Sequence, residues 1–136
     1  MKKLLILVFL CAVMFVSVAV AQDPIVTDGD KYKVLLENDR VRVLSYLDHP
    51  GEKTSMHHHP NFVLYAITPF KRKLTLGNGG IIMREFKAGD VLWSPAQSHI
   101  GENVGSTDTN VVIVEIKDVN MNTEKALKAI PIPTGK

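Results

Sequence analysis

From residue 32 onward, apolar and polar side chains alternate in short runs, separated at close intervals by turn residues. Alternation with a period of two marks strands that turn one face to a core. Residues 32–37 make the first run, closed by the turn pair Asn38-Asp39. Residues 40–47 make the second, with Val41 and Val43 alternating against Arg40 and Arg42, and Asp48-His49-Pro50-Gly51 turns the chain. Residues 55–59 are short and extended, and Pro60-Asn61 breaks them. Residues 62–68 are almost wholly apolar, the composition of a barrel wall or of a strand buried on both faces, and Pro69 ends them. Residues 73–76 and 81–87 flank Gly77-Asn78-Gly79-Gly80, a strong hairpin signal. After the turn Ala88-Gly89-Asp90, further strands are expected at 91–94, 99–104 and 111–117. Residues 122–129 alone have a helical pattern, with Asn122 or Thr123 as cap and Glu124 in the first turn. Eight or nine short strands at regular spacing predict an all-β sandwich or barrel with a short C-terminal helix. No internal repeat, heptad or second domain is apparent, so residues 22–136 are expected to form one domain with its core at about 32–117.

The first 21 residues have a different pattern. Lys2 and Lys3 precede an uncharged apolar run that ends in Ala19-Val20-Ala21. This is the layout of a secretory signal peptide. The alternative is an uncleaved membrane anchor. The run is short for a span of about 20 residues, and the Ala-Val-Ala site favours cleavage after Ala21, giving a secreted or periplasmic protein whose first residue is Gln22. Cleavage would take Cys11 with it, leaving no thiol for a disulfide or a nucleophile. It would also take Lys2 and Lys3, leaving fourteen basic residues against fourteen acidic ones. A net charge near zero offers no electrostatic footprint for nucleic acid or an anionic membrane. The one basic run, Lys71-Arg72-Lys73, reads as a solvated turn that also blunts a strand edge.

Groups capable of chemistry concentrate between residues 49 and 59, which hold four of the five histidines. On a strand, His57 and His59 share a face roughly 6.5 Å apart, while His58 points the other way. Two imidazoles so spaced can tilt onto one ion at about 2.0–2.1 Å. Three adjacent histidines alone read equally well as a polar loop beside Pro60. A third ligand must come from another strand. His99 is the remaining histidine with strand context, and Asn103 and Gln97 share its parity as candidates for the pocket or for support of the ligands.

The wider spacing resembles a known family. Gly51, five residues, His57, one residue and His59 match the first half of the cupin signature. Gly89, five residues, Pro95, then His99, three residues and Asn103 resemble the second cupin motif, one residue short between Pro95 and His99, with Gln97 near where a glycine is common. Between them lies the Gly77–Gly80 hairpin, and the likeness spans residues 32–117. The chain looks like a small, secreted, single-domain cupin. That resemblance implies a double-sheet jelly-roll barrel with His57, His59 and His99 converging inside it as metal ligands. Homodimerisation is a family-level expectation. There is one departure: the carboxylate ligand usual four or five residues after the second histidine is absent, and Val63 and Leu64 stand there. Glu52 and Glu102 are an odd number of positions from the neighbouring histidine and should face away.

The expected centre is therefore three neutral imidazoles with open positions, the arrangement of catalytic rather than structural sites. It suits a divalent transition metal, with Fe, Zn, Ni, Cu and Mn all compatible, and some cupin dioxygenases similarly use three histidines with Fe(II). Two functions remain open: a metal-dependent oxygenase acting on a small chelating substrate, and a non-catalytic exported protein that binds metal or a small ligand. The missing carboxylate, and the lack of a general base on the expected pocket face, keep the second in play. Tyr46, Tyr65 and Trp93 read as core rather than pocket residues, Met56 and Met83 as core filler, and His49 as a turn residue.

Overall fold

The structure is a computed structural model that describes residues 22–117. The expected leader and the expected helix at 122–129 lie outside those residues. A short helix α1 (Pro24–Thr27) opens the described chain, followed by nine strands: β1 (Tyr32–Glu37), β2 (Val41–Asp48), β3 (His57–His59), β4 (Phe62–Ala66), β5 (Phe70–Leu76), β6 (Ile81–Phe86), β7 (Val91–Ser94), β8 (Gln97–Asn103) and β9 (Thr109–Ile116). α1 lies in the polar stretch 22–30 that precedes the first strand. Asp23 caps it by accepting from the Ile25 amide at 2.9 Å, and Pro24 supplies the preset φ of a first turn.

The strands form two antiparallel sheets, one of five in the order β1-β2-β9-β4-β7 and one of four in the order β3-β8-β5-β6. They pack as the double-sheet jelly roll that the sequence resemblance implies. The turns before β3 and β7 place Gly51 at φ +84° and Gly89 at φ +88°. That left-handed region is costly for any residue with a side chain, which explains a glycine at each of these two motif positions.

The core, built from Tyr32, Leu44, Tyr46, Phe62, Ala66, Phe70, Val111 and Ile113, fills one part of the space between the sheets. The rest of the interior is polar. On β2 the inward face carries Leu44, Tyr46 and Asp48, so the valines at 41 and 43 sit on the outer parity. On β9 it carries Thr109, Val111, Ile113 and Glu115. Lys71-Arg72-Lys73 is not a solvated turn at an edge. It lies within β5, flanked by β6 and β8, and Arg72 is 8% exposed. The Arg72 guanidinium donates to Asp48 Oδ2 at 2.7 Å and to the Tyr46 hydroxyl at 2.8 Å. A charge this deep needs such partners to offset its desolvation. Gly101 makes room for it: a Cβ there would fall 2.6 Å from Arg72 Nε and 2.7 Å from Cζ.

The outer face of the five-stranded sheet holds further reversals. Tyr65 and Trp93 belong neither to the core nor to a pocket. They stand exposed on β4 and β7, opposite Val91 and Val63 respectively. Met83, on edge strand β6, is exposed rather than core filler.

Candidate metal centre

β3 is three residues long and divides its histidines as strand parity predicts: His57 and His59 are buried and His58 is exposed. β8 runs antiparallel beside it with His99 directly opposite His57. The rings of His57 and His99 lie 4.7 Å apart between centroids, those of His57 and His59 4.9 Å, and those of His59 and His99 5.5 Å. One ring nitrogen from each histidine falls within 4.8 Å of the other two. Tetrahedral ligands at 2.0–2.1 Å from an ion are roughly 3.4 Å apart, so closing the three onto one ion needs ring movements under about 1 Å.

The hydrogen bonds fix how two of these rings are presented. His57 Nδ1 lies 2.9 Å from the Ser55 carbonyl oxygen, which can only accept, so Nδ1 carries the proton. Burial first, then the neighbouring His59, lowers the His57 pKa to about 4, so at neutral pH the ring is uncharged and Nε2 is a bare lone pair. That lone pair accepts from the Tyr32 hydroxyl at 3.2 Å. His59 Nδ1 donates to Glu115 Oε1 at 2.6 Å, which leaves Nε2 as the atom it can offer a metal. Burial pushes the Glu115 carboxyl up, but the hydrogen bonds from His59 and Arg42 outweigh it and hold it below the usual carboxylate range. Arg42 Nε meets Glu115 Oε2 at 2.6 Å, and its Nη1 meets Asp23 Oδ2 at 2.5 Å. Glu115, Arg42 and Asp23 thus form a chain of alternating charge that runs from His59 toward the surface. Burial, then His57 and His59, lowers the His99 pKa to about 2, and its Nδ1 is buried without a hydrogen-bond partner.

These features suit a metal. His57 and His99, uncharged at neutral pH, need lose no proton to bind. One ring is braced by a carboxylate on its far side, as metal-bound histidines commonly are. The orphaned nitrogen of His99 lacks one interaction that an ion would supply.

Other residues named from the sequence fall differently. Gln97 lines the same small cavity as His99 and donates to Ser94 Oγ at 3.0 Å. Asn103 is buried on the His99 face, but its amide is engaged elsewhere, donating to Asp48 and to the Thr107 carbonyl and accepting from the Gly105 amide. It braces the Arg72–Asp48 network rather than the histidines. Glu102 pairs with Lys73 at 2.5 Å and Glu52 accepts from the His49 amide at 2.9 Å, both away from the centre. Sequence reasoning missed Tyr32, Glu115 and Arg42. A signal for the second was present: Glu115 is the lone charge in Val111-Val112-Ile113-Val114-Glu115-Ile116, with the parity of Val111 and Ile113.

Comparison with known proteins agrees with the fold. No family model and no curated protein matches the chain. Solved structures do. A cupin domain from Bordetella pertussis Tohama I is 26% identical, with 64% of this chain and 92% of that chain covered and a TM-score of 0.59. A Cupin 2 conserved barrel domain protein from Salinispora arenicola is 22% identical over 71% of this chain and 82% of its own, with a TM-score of 0.50. A cupin family protein with a double-stranded β-helix fold from Methanocaldococcus jannaschii is 20% identical over 72% and 84%, with a TM-score of 0.51. These likenesses show that the chain has the cupin fold.

Proposed function

We propose that the protein is an exported metal-binding cupin whose His57, His59 and His99 hold one divalent transition metal ion. The observation that carries this reading is the convergence of three buried imidazoles from β3 and β8, with one nitrogen of each within 4.8 Å of the others. A bound ion would supply Lewis acidity and open coordination positions for a small chelating ligand. The remaining functions belong to the chain itself. Ser55 fixes the tautomer of His57. Glu115, held in place by Arg42, fixes the ring of His59. The Tyr32 hydroxyl caps His57 Nε2 and must turn from it when that nitrogen takes a metal, which leaves a hydroxyl donor beside the centre. The proposed activity is that of a metal-dependent oxygenase on a small chelating substrate. The alternative, a non-catalytic binder of metal or small ligand, draws support from Glu115: the carboxylate closest to the centre is engaged by His59 and Arg42 and is not free to act as a base.

Elemental analysis of untagged protein tests the binding. About one transition metal per chain is expected, taken up from Zn, Ni or Fe. His57→Ala and His99→Ala should each weaken uptake at least a hundredfold, while His58→Ala leaves it unchanged. A chain that takes up none of these metals, or one equally sensitive at His58, removes the proposal. Oxygen consumption by the Fe(II)-loaded protein with diketones, thiols and phenolic acids separates the enzyme from the binder.

A further inference from the structure

The two sheets end on one side at β6 and β7, which leaves both as edge strands. A cavity of about 50 Å³ lies there between the sheets and runs inward to His99. Its walls are apolar, with Phe62 and Leu64 on one sheet and Phe70 and Phe86 on the other. The Phe70 and Phe86 rings stack at 4.6 Å. The polar groups lining it are Arg72, Arg84, Gln97 and His99, with no carboxylate among them.

Arg72 and Arg84 stand directly opposite each other in the β5–β6 register. Like charges so placed on adjacent strands destabilise a sheet. Arg72 is neutralised by Asp48 at 2.7 Å. Arg84 has no acidic partner within 4.0 Å among the described residues. It shares strand parity with the half-buried Ile82 and Phe86 and lines the cavity, but it is itself exposed, as are positions 81, 83 and 85, which places it at the cavity's outer end. The cavity therefore has an unneutralised guanidinium at its mouth, apolar walls and, among the three histidines, His99 at its end.

We propose that this cavity binds a small carboxylate with a short apolar body, its carboxylate gripped by Arg84 and its other end directed to the three-histidine centre. The planar fork of a guanidinium matches the two oxygens of a carboxylate. Size limits the ligand. At roughly 10–15 Å³ per water, the space holds about four waters, which suits an acid the size of propionate. The proposal rests on the metal-centre reading for the ligand's inner end, but the Arg84 contact can be measured without it.

The test uses the full chain, first assayed for metal content, in metal-free and Zn-loaded forms. Propionate and its neutral counterpart propionamide are titrated while the guanidinium NMR signal of Arg84 is followed. The expected result is saturable binding of propionate to both forms, at least tenfold tighter than propionamide, and a tenfold or greater loss in Arg84→Gln with metal content unchanged. Arg84→Lys should recover part of it. Equal binding of acid and amide, or propionate affinity within twofold of the parent in Arg84→Gln, overturns the proposal. So does a variant whose only change is increased self-association, because an inward charge on an edge strand then serves only to deter edge pairing. Propionate binding to Arg84 in a chain that takes up no metal would leave the anion site standing and refute the metal centre alone.

Discussion

Glu115→Gln is the most informative perturbation of the centre. The substitution keeps the shape of the side chain and removes its charge. In the parent, Glu115 accepts from His59 Nδ1 and from Arg42 Nε, each at 2.6 Å. A neutral amide can accept from only one of these donors through its single oxygen, and its NH₂ would face the other. His59 then loses either its orientation or its anionic partner. Loss of such an outer partner costs about 10–100-fold in metal affinity, or about 1.4–2.7 kcal/mol. Arg42 keeps Asp23 at 2.5 Å, so the fold should survive. Competition with a chelator of known Zn affinity measures the change, with His58→Gln as the control that alters an imidazole on the outer face. Affinity within threefold of the parent in Glu115→Gln would refute the idea that the carboxylate orients a ligand, and would recast Glu115 as a partner for Arg42 alone.

Acid should destabilise the metal-free protein. His57 and His99 have folded pKa values near 4 and 2 against an ordinary 6.5, so the unfolded chain binds more protons than the folded one below pH 6.5. Their stabilising contribution is complete above that pH and falls as pH drops toward 4, with a slope approaching about 1.4 kcal/mol per pH unit for each histidine. Urea titrations at pH 7, 6 and 5 check it, and stability that is flat or rising over that range contradicts it. Gly101→Ala should cost roughly 2–4 kcal/mol, because the new methyl displaces Arg72 from Asp48 and Tyr46 and leaves a buried ion pair broken. A thermal midpoint unchanged from the parent would show that the guanidinium can move without loss.

Much of the site was legible because strand parity is a local property. His57 and His59 could be assigned to one face and His58 to the other from three consecutive letters, and the turns carrying Gly51 and Gly89 fixed where the flanking strands begin. Alternation does not say which face is inside. On β2 the valines suggested one face, yet the barrel interior takes the other parity, with Arg42 aligned to Glu115. Arg72 was misread for a related reason. A basic run looks solvated until Asp48, 24 positions earlier, is seen to accept from it. Glu115 reaches His59 across 56 positions, and only the packing of the sheet that holds β3 against the sheet that holds β9 brings them together. Tyr65, Trp93 and Met83 were expected inside because of their size, and they lie on outer faces.

The shortness of β3 has a consequence in time. Its backbone is laddered to β8 on one side, while on the other it meets, among the described residues, only an isolated bridge, where the His58 amide donates to the Gln22 carbonyl at 2.9 Å. Three residues so held should open and close often in the metal-free chain. An ion joining His57 to His99 would tie β3 to β8 on a rung the backbone already shares, so release of the ion and opening of β3 become a single event. Amide exchange at His58 should then slow on loading, by the factor by which the ion prefers the closed strand to the open one. The lifetime of a bound ion would then be set by how rarely three residues come away from their neighbours.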